Sequence, residues 1–216
     1  MQFCRKDLVS EGRGEMRKNW MDTKVICLKE ILIYEYSQLQ CESVVIKVDG
    51  NIAEHAFADS KYLKNICIYG NDTVLGLGVF SYCRNLQSVQ LYDVSVIGEG
   101  AFTWCDQLES IFLDVCELQK GAFFQCKSLK KVVFSEKLNT IHKGSFYGCD
   151  NLKKVVFLGP PVIDDAFEWD NDDLDICIKR EYECILENFI MTDYIKKHIV
   201  YFDLGNCETR DARSQS

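Results

Sequence analysis

Apolar residues return along this chain with a period of about two dozen residues. Phenylalanine stands at Phe57, Phe80, Phe102, Phe123, Phe146 and Phe167, with gaps of 23, 22, 21, 23 and 21 residues. Each copy opens on Ile or Leu (Ile52, Leu75, Ile97, Leu118, Ile141, Ile163) and in most copies sets a small residue just before the Phe. Cysteine follows three residues after Phe, Leu six after, and apolar residues nine and eleven after. Residues two apart on a strand face the same side. The pair nine and eleven after Phe, such as Ile111 and Leu113, is therefore predicted to point inward, and the residue between them outward. The segment carrying Phe and Cys, such as Gly121–Cys126, is predicted to form a short helical turn whose Phe fills the interior. One coil of this length cannot bury its own apolar face, but stacked coils can, with their strands paired in a parallel sheet.

The first and last copies depart from the pattern. Ser60 and Asp170 replace the cysteine, and Leu174 comes seven residues after Phe167 rather than six. Terminal coils of a solenoid are often atypical because they lead into caps. Before the repeats, Val25–Leu28 and Ile31–Tyr34 flank Lys29-Glu30, which predicts a hairpin, followed by a lead-in strand over Ser43–Val48. After them, Tyr182, Ile185, Phe189, Tyr194 and Ile195 are spaced among charges, which predicts amphipathic helices closing the open end. The expected organisation is an N-terminal segment 1–24, a capping hairpin and strand 25–50, repeats 51–179, a helical cap 180–205 and a mobile tail 206–216.

The segment Leu-x-x-Ile/Val-x-Leu/Phe is the strand of a leucine-rich repeat. The fuller pattern, best seen in Ile97-Gly98-Glu99-Gly100-Ala101-Phe102-Thr103-Trp104-Cys105, closely resembles the BspA-like, treponemal-type leucine-rich repeats over roughly residues 25–200. The resemblance implies an α/β, β-rich solenoid: a right-handed curved superhelix with a concave parallel sheet. It also implies kinship with surface proteins of host-associated microbes that act in adhesion or bind host proteins. The chain departs from the family where a proline often follows the strand. Here Tyr69, Tyr92, Asp114, Ser135 and Leu158 take that place.

Composition narrows the function classes. The 216 residues are 47% hydrophobic with a net charge of -8, enough for one solenoid and too acidic to favour nucleic acid. The first 24 residues carry seven Lys, Arg and Glu side chains up to Lys18 and no uninterrupted apolar run, so no signal peptide is read there. No apolar run is long enough to cross a bilayer. The expected location is cytoplasmic, or the cell surface if the chain is a piece of a longer protein. Twelve cysteines fit a reducing compartment.

Cys83, Cys105, Cys126 and Cys149 hold one equivalent position and should stack ~5 Å apart, one per coil. They are expected as a column of buried thiols acting as small hydrophobes. Cys67 and Cys177 fall at outward strand positions and are expected to be reachable. No CxxC, GxSxG, HExxH or phosphate-binding glycine loop occurs, and Gly76-Leu77-Gly78 lies inside a repeat, where its glycines serve the turn. His55 and His142 lie about four coils apart and cannot share a small site. Asp164, Asp165, Glu168, Asp170, Asp172, Asp173 and Asp175 form an acidic run without EF-hand spacing, expected as a solvated rim. Neither an enzyme nor a cofactor or metal site is expected.

The outward strand positions run Cys67, Gln90, Phe112, Val133, Val156 and Cys177. Outward apolar residues in a row are informative because water disfavours them. Beside them lie Lys130, Lys131, Lys153 and Lys154, and Tyr69 and Tyr92 end two strands. The candidate binding residues are therefore Tyr69, Gln90, Tyr92, Phe112, Lys130, Lys131, Val133, Lys153, Lys154 and Val156. The expected function is recognition of a protein partner by a monomeric scaffold, with no nucleic acid and no membrane insertion. The alternatives are the repeat portion of a surface adhesin and a thiol-based redox protein.

Overall fold

A computed structural model describes residues 23–28, 40–160, 166, 173–183 and 197–203. Each coil contributes an inward-outward alternating strand, and these strands lie side by side in parallel. They are β1 (Thr23–Leu28), β2 (Ser43–Val48), β3 (Asn65–Leu75), β4 (Ser88–Ile97), β5 (Ser110–Leu113), β7 (Lys131–Phe134), β9 (Lys154–Phe157), β10 (Asp175–Lys179) and β11 (Ile199–Phe202). A second row forms where each copy opens. Its members are the far halves of β3 and β4, then β6 (Glu117–Leu118) and β8 (Thr140–Ile141), with Ile52 bridged to Leu75. Hydrogen bonding divides the strands into a six-stranded sheet, β1-β2-β3-β4-β6-β8, and a five-stranded one, β11-β10-β9-β7-β5. The register repeats residue for residue: Ile66 opposes Val89, Ile111 opposes Val132, and Val132 opposes Val155. The inward pairs are all buried. This is a β-solenoid, as the period implied.

The Phe-bearing segments are not helical, which corrects the expected short helical turns. Residues two before Phe sit in the left-handed region at His55, Gly78, Gly100, Gly121 and Gly144. So do residues two after it, at Asp59, Tyr82, Trp104, Gln125 and Gly148. A left-handed residue every fourth position stops an α-helix before it can form. The backbone donors alternate instead. Ser81 and Cys83 N–H groups close tight turns onto Gly78 O and Phe80 O at 2.9 and 3.2 Å. Gly78, Phe80 and Tyr82 N–H groups donate to Glu99 O, Ala101 O and Thr103 O of the next coil at 2.9, 2.8 and 2.7 Å. A helix would have kept those donors to itself. Here they tie one coil to the next.

The chain ends also differ from expectation. The first arm of the expected hairpin, β1, pairs with β2 in parallel, as one more rung. Its intended partner Ile31–Tyr34 lies outside the described residues. Where a helical cap was expected, the described residues hold a 3-10 turn, Arg180–Tyr182, helical positions at Glu183 and at Lys197 and His198, and then β11, paired in parallel with β10; residues 184–196 lie outside the described residues. Ile199 and Tyr201 pack against the core, so the stack gains a rung. Ile185, Phe189, Tyr194 and Ile195 lie outside the described residues, as do most of the acidic run and the tail.

The core is a ladder of rings. Phe57, Phe80, Phe102, Phe123 and Phe146 are fully buried and stack face to face, with centroids 5.3, 5.3, 5.1 and 5.6 Å apart. Phe134 and Phe157 stack at 5.1 Å, and Phe134 meets Phe146 edge-on at 6.2 Å. The small residues before the phenylalanines let the coils approach closely. Gly98 is the tightest glycine against backbone: a methyl there would overlap the backbone oxygen of Leu75. At Gly144 a methyl meets nothing within 4 Å, but φ is +65°. Gly144→Ala is therefore expected to cost only its left-handed conformation, about 1 kcal/mol. Gly98→Ala should cost about 3 kcal/mol or more through forced separation of two coils. Urea unfolding followed by circular dichroism separates the two. Phe102→Ala, which breaks the ladder, is expected to lose about 3–5 kcal/mol in the same assay.

Candidate functional site

The parallel register sorts the outward side chains into columns. One runs Cys67, Gln90, Phe112, Val133, Val156, Cys177, with Cys67 opposing Gln90, Phe112 opposing Val133, and Val156 opposing Cys177. Its ends are closed. Cys67, Val156 and Cys177 are only 8, 5 and 4% exposed, so the two cysteines are not reachable and Val156 is not an open contact residue. Facing outward on a strand did not suffice to expose them. The column opens in its middle, where Phe112 is 54% exposed between half-buried Gln90 and Val133.

Two residues further along their strands, Tyr69 and Tyr92 are partners in the ladder and stack 4.9 Å apart at 8°. They are 39 and 46% exposed. Burial of part of the Tyr69 ring, and then its hydrogen bond with the Cys67 thiol, push its hydroxyl up to about 12, so it stays protonated and neutral. In the next coil Asp114 holds the tyrosines' column position and pairs with Lys137 Nζ at 2.7 Å. The hydrogen bond from that ammonium holds the Asp114 carboxyl below the usual range.

On the other side of Phe112 the lysines gather. Lys131 and Lys154 are partners across β7 and β9. Lys130 and Lys153 precede them, and Lys130 O accepts the N–H groups of both Lys153 and Lys154, at 3.0 and 3.1 Å. The four form a square on two adjoining rungs. Lys130 Nζ reaches Glu109 at 3.0 Å, and Asp175 lies beside Lys154 in register. The structure thus brings Tyr69, Tyr92, Phe112, Gln90, Val133, Lys131 and Lys154 onto one face, with Lys130 and Lys153 exposed beside it at the strand starts and Val156 sunk beneath it.

A second aromatic row, on the turns, escaped the sequence reading. Tyr82 stacks on Trp104 at 6.4 Å, and Phe124 on Tyr147 at 5.5 Å. Arg84 lies 5.4 Å over Trp104 and Lys127 5.3 Å over it, while Arg84 also binds Asp106 at 3.1 Å. The aromatic residue one or two after Phe80, Phe102, Phe123 and Phe146 was the available signal. Cations cover Tyr82 and Trp104, yet Tyr82 and Tyr147 remain about as exposed as Tyr92.

The cysteine column is built as a hydrogen-bonding spine. The Sγ of Cys83, Cys105, Cys126 and Cys149 donates to Phe57 O, Phe80 O, Phe102 O and Phe123 O, at 3.1, 3.3, 3.0 and 3.1 Å. Each thiol thus caps the carbonyl of the Phe in the preceding coil. Burial pushes Cys83 up to about 12, and Cys105 and Cys149 well above an ordinary thiol. Burial acts on Cys126 in the same sense, against hydrogen bonds with Cys105 and Cys149 that pull it down. Its own donation to Phe102 O needs the proton, and we assign it as a thiol. Buried thiols are poor nucleophiles. This geometry does not support a redox role for the column.

His142 Nε2 lies 3.2 Å from Glu117 Oε1, and His198 is buried with Nδ1 2.8 Å from Leu174 O. Gly76 and Gly78 serve the turn as expected: a methyl on Gly76 would come within 2.9 Å of Ile52 O, and Gly78 has φ +58°. Among the described residues, no group of three or more His, Cys, Asp or Glu is placed to hold a metal. No helix among them is long and apolar enough to cross a membrane.

A family model described as "BspA type Leucine rich repeat region" matches residues 29–168 in six copies. The chain belongs to this family. No curated protein matches it. A leucine-rich repeat protein from Bacteroides ovatus ATCC 8483 superposes with a TM-score of 0.54 at 24% identity, covering 84% of this chain and 42% of that one. A leucine rich cell surface protein from Faecalibacterium prausnitzii A2-165 superposes with a TM-score of 0.50 at 24% identity, covering 56% of this chain and 33% of that one. At this identity the two establish the fold alone, and this chain spans less than half the length of either.

The thiol spine makes a direct prediction. Iodoacetamide at pH 8 should leave Cys83, Cys105, Cys126 and Cys149 unmodified in native protein and alkylate them all in urea. Peptide mass mapping reads this out, and rapid native labelling of any of the four would contradict the spine.

Proposed function

We propose that this chain is a protein-binding repeat scaffold that docks a protein partner on the outward face of its sheet, without catalytic chemistry of its own. The observation that carries this reading is the exposure of Tyr69, Tyr92 and Phe112 together on three successive rungs, beside four lysines. Large aromatics grouped on a sheet face are disfavoured by water unless something covers them. Aromatic anchors are also the side chains most enriched at the centres of protein interfaces. A repeat array suits such a role because coil by coil it offers a long, regular surface.

A second reading, the repeat portion of a surface adhesin that binds host proteins, is favoured by one similar structure being that of a cell surface protein. The cytoplasmic location expected from the N-terminal residues finds no support in these relatives, and we place the protein at the cell surface in this reading. Both readings use the same face.

The double variant Phe112→Ser/Val133→Ser is expected to keep its melting temperature within a few degrees, because neither side chain is in the core. It should lose at least tenfold in capture of any partner that wild-type protein enriches, measured by quantitative mass spectrometry. Capture unchanged by the double variant would remove this face from consideration. Val156→Ser is expected to behave differently and lower stability, because it sinks a hydroxyl into a buried position.

A further inference from the structure

The aromatic residues and the lysines are not scattered over the face. They lie on one diagonal. Tyr69 and Tyr92 occupy the last position of the regular first halves of β3 and β4, ahead of the register shift, Phe112 the middle position of β5, and Lys131 and Lys154 the first position of β7 and β9. With hydrogen-bonded rungs ~4.8 Å apart and ~3.3 Å per residue along a strand, and with β4 and β5 neighbours that belong to separate sheets, the diagonal spans at least about 19 Å across the coils and about 13 Å along them. That makes a stripe about 23 Å long, matched by about seven residues of extended chain.

Charge is segregated along it. The aromatic end carries the stacked pair of tyrosines, bordered by the closed Asp114–Lys137 ion pair. At the other end, Lys131 stands directly beside Lys154, with Lys130 and Lys153 next to them. Like charges on adjoining strand positions destabilise a sheet. Glu109 on one flank and Asp175 on the other offset two of the four charges. The square thus keeps a positive balance in a chain whose net charge is -8.

Resting on the reading of this face as a docking surface, we propose that its occupant is an extended acidic peptide segment of a partner protein. The segment lies along the diagonal with its apolar residues against Tyr69, Tyr92 and Phe112 and its carboxylates against the lysine square. A narrow stripe that is apolar at one end and cationic at the other fits a single extended chain with the opposite halves. The position of the square fixes the polarity: the partner's acidic end faces the C-terminal coils. The phosphate backbone of a nucleic acid fits poorly, because it has no apolar half and the rest of the molecule repels it.

The test uses the full chain and two fluorescent octapeptides of identical composition. One has three apolar residues, a glycine and four glutamates in sequence; the other interleaves the same residues. Anisotropy should show the segregated peptide binding at least tenfold more tightly, and several-fold more weakly in 200 mM than in 50 mM salt. K131E/K154E should abolish both the binding and its salt dependence. F112S should weaken binding while leaving the salt dependence in place. Equal binding of the two peptides, or wild-type affinity in K131E/K154E, would overturn the proposal. If neither peptide binds but partner capture still depends on Phe112, the acidic-peptide inference falls and the docking face survives. If capture ignores Phe112 as well, both fall.

Discussion

Everything in this molecule depends on backbone donors that leave their own coil. In each turn, alternate N–H groups close a tight turn or reach the carbonyl of the next coil, as Phe80 does to Ala101 and Phe102 to Ala122, both at 2.8 Å. The left-handed residues on either side of the five stacked phenylalanines make this alternation possible by aiming successive peptide groups along the solenoid axis. Once the coils are held at that separation, the phenylalanines have no choice but to stack. The cysteine three residues on then finds the one carbonyl of the preceding turn it can cap. The ring ladder, the thiol spine and the glycine contacts are three consequences of one spacing.

That spacing also generates the outer surface. A period-2 strand that buries two residues must present those between them, and parallel register lines these up from coil to coil. Side chains far apart in sequence thereby become neighbours: Tyr69 beside Tyr92, Lys131 beside Lys154. The solenoid turns a repeating sequence into columns, and variation within a column is where recognition can be written without disturbing the core. In this chain one end of the face is aromatic and the other cationic, over an interior that scarcely changes.

Function follows less directly. Membership of a family defined by its repeat establishes how the chain folds, and a repeat fold hosts many functions. The functional reading therefore rests on the face itself. The buried thiols hold carbonyls, and His142 and His198 each lie against a partner from another coil.

The sequence alone determined the coil length, the inward residues and the buried cysteine column, because burial of apolar side chains imposes a strict period that composition cannot hide. It also identified most of the candidate face, since a strand's alternation is readable one residue at a time. Only the tertiary structure decided which outward residues are open: Val156 and Cys177 share Phe112's column yet are buried. It decided too that the turns are not helices and that β1 and β11 pair as further rungs. These outcomes depend on where a backbone donor finds its acceptor, and that acceptor lies in another coil, about two dozen residues away, beyond the reach of any local pattern.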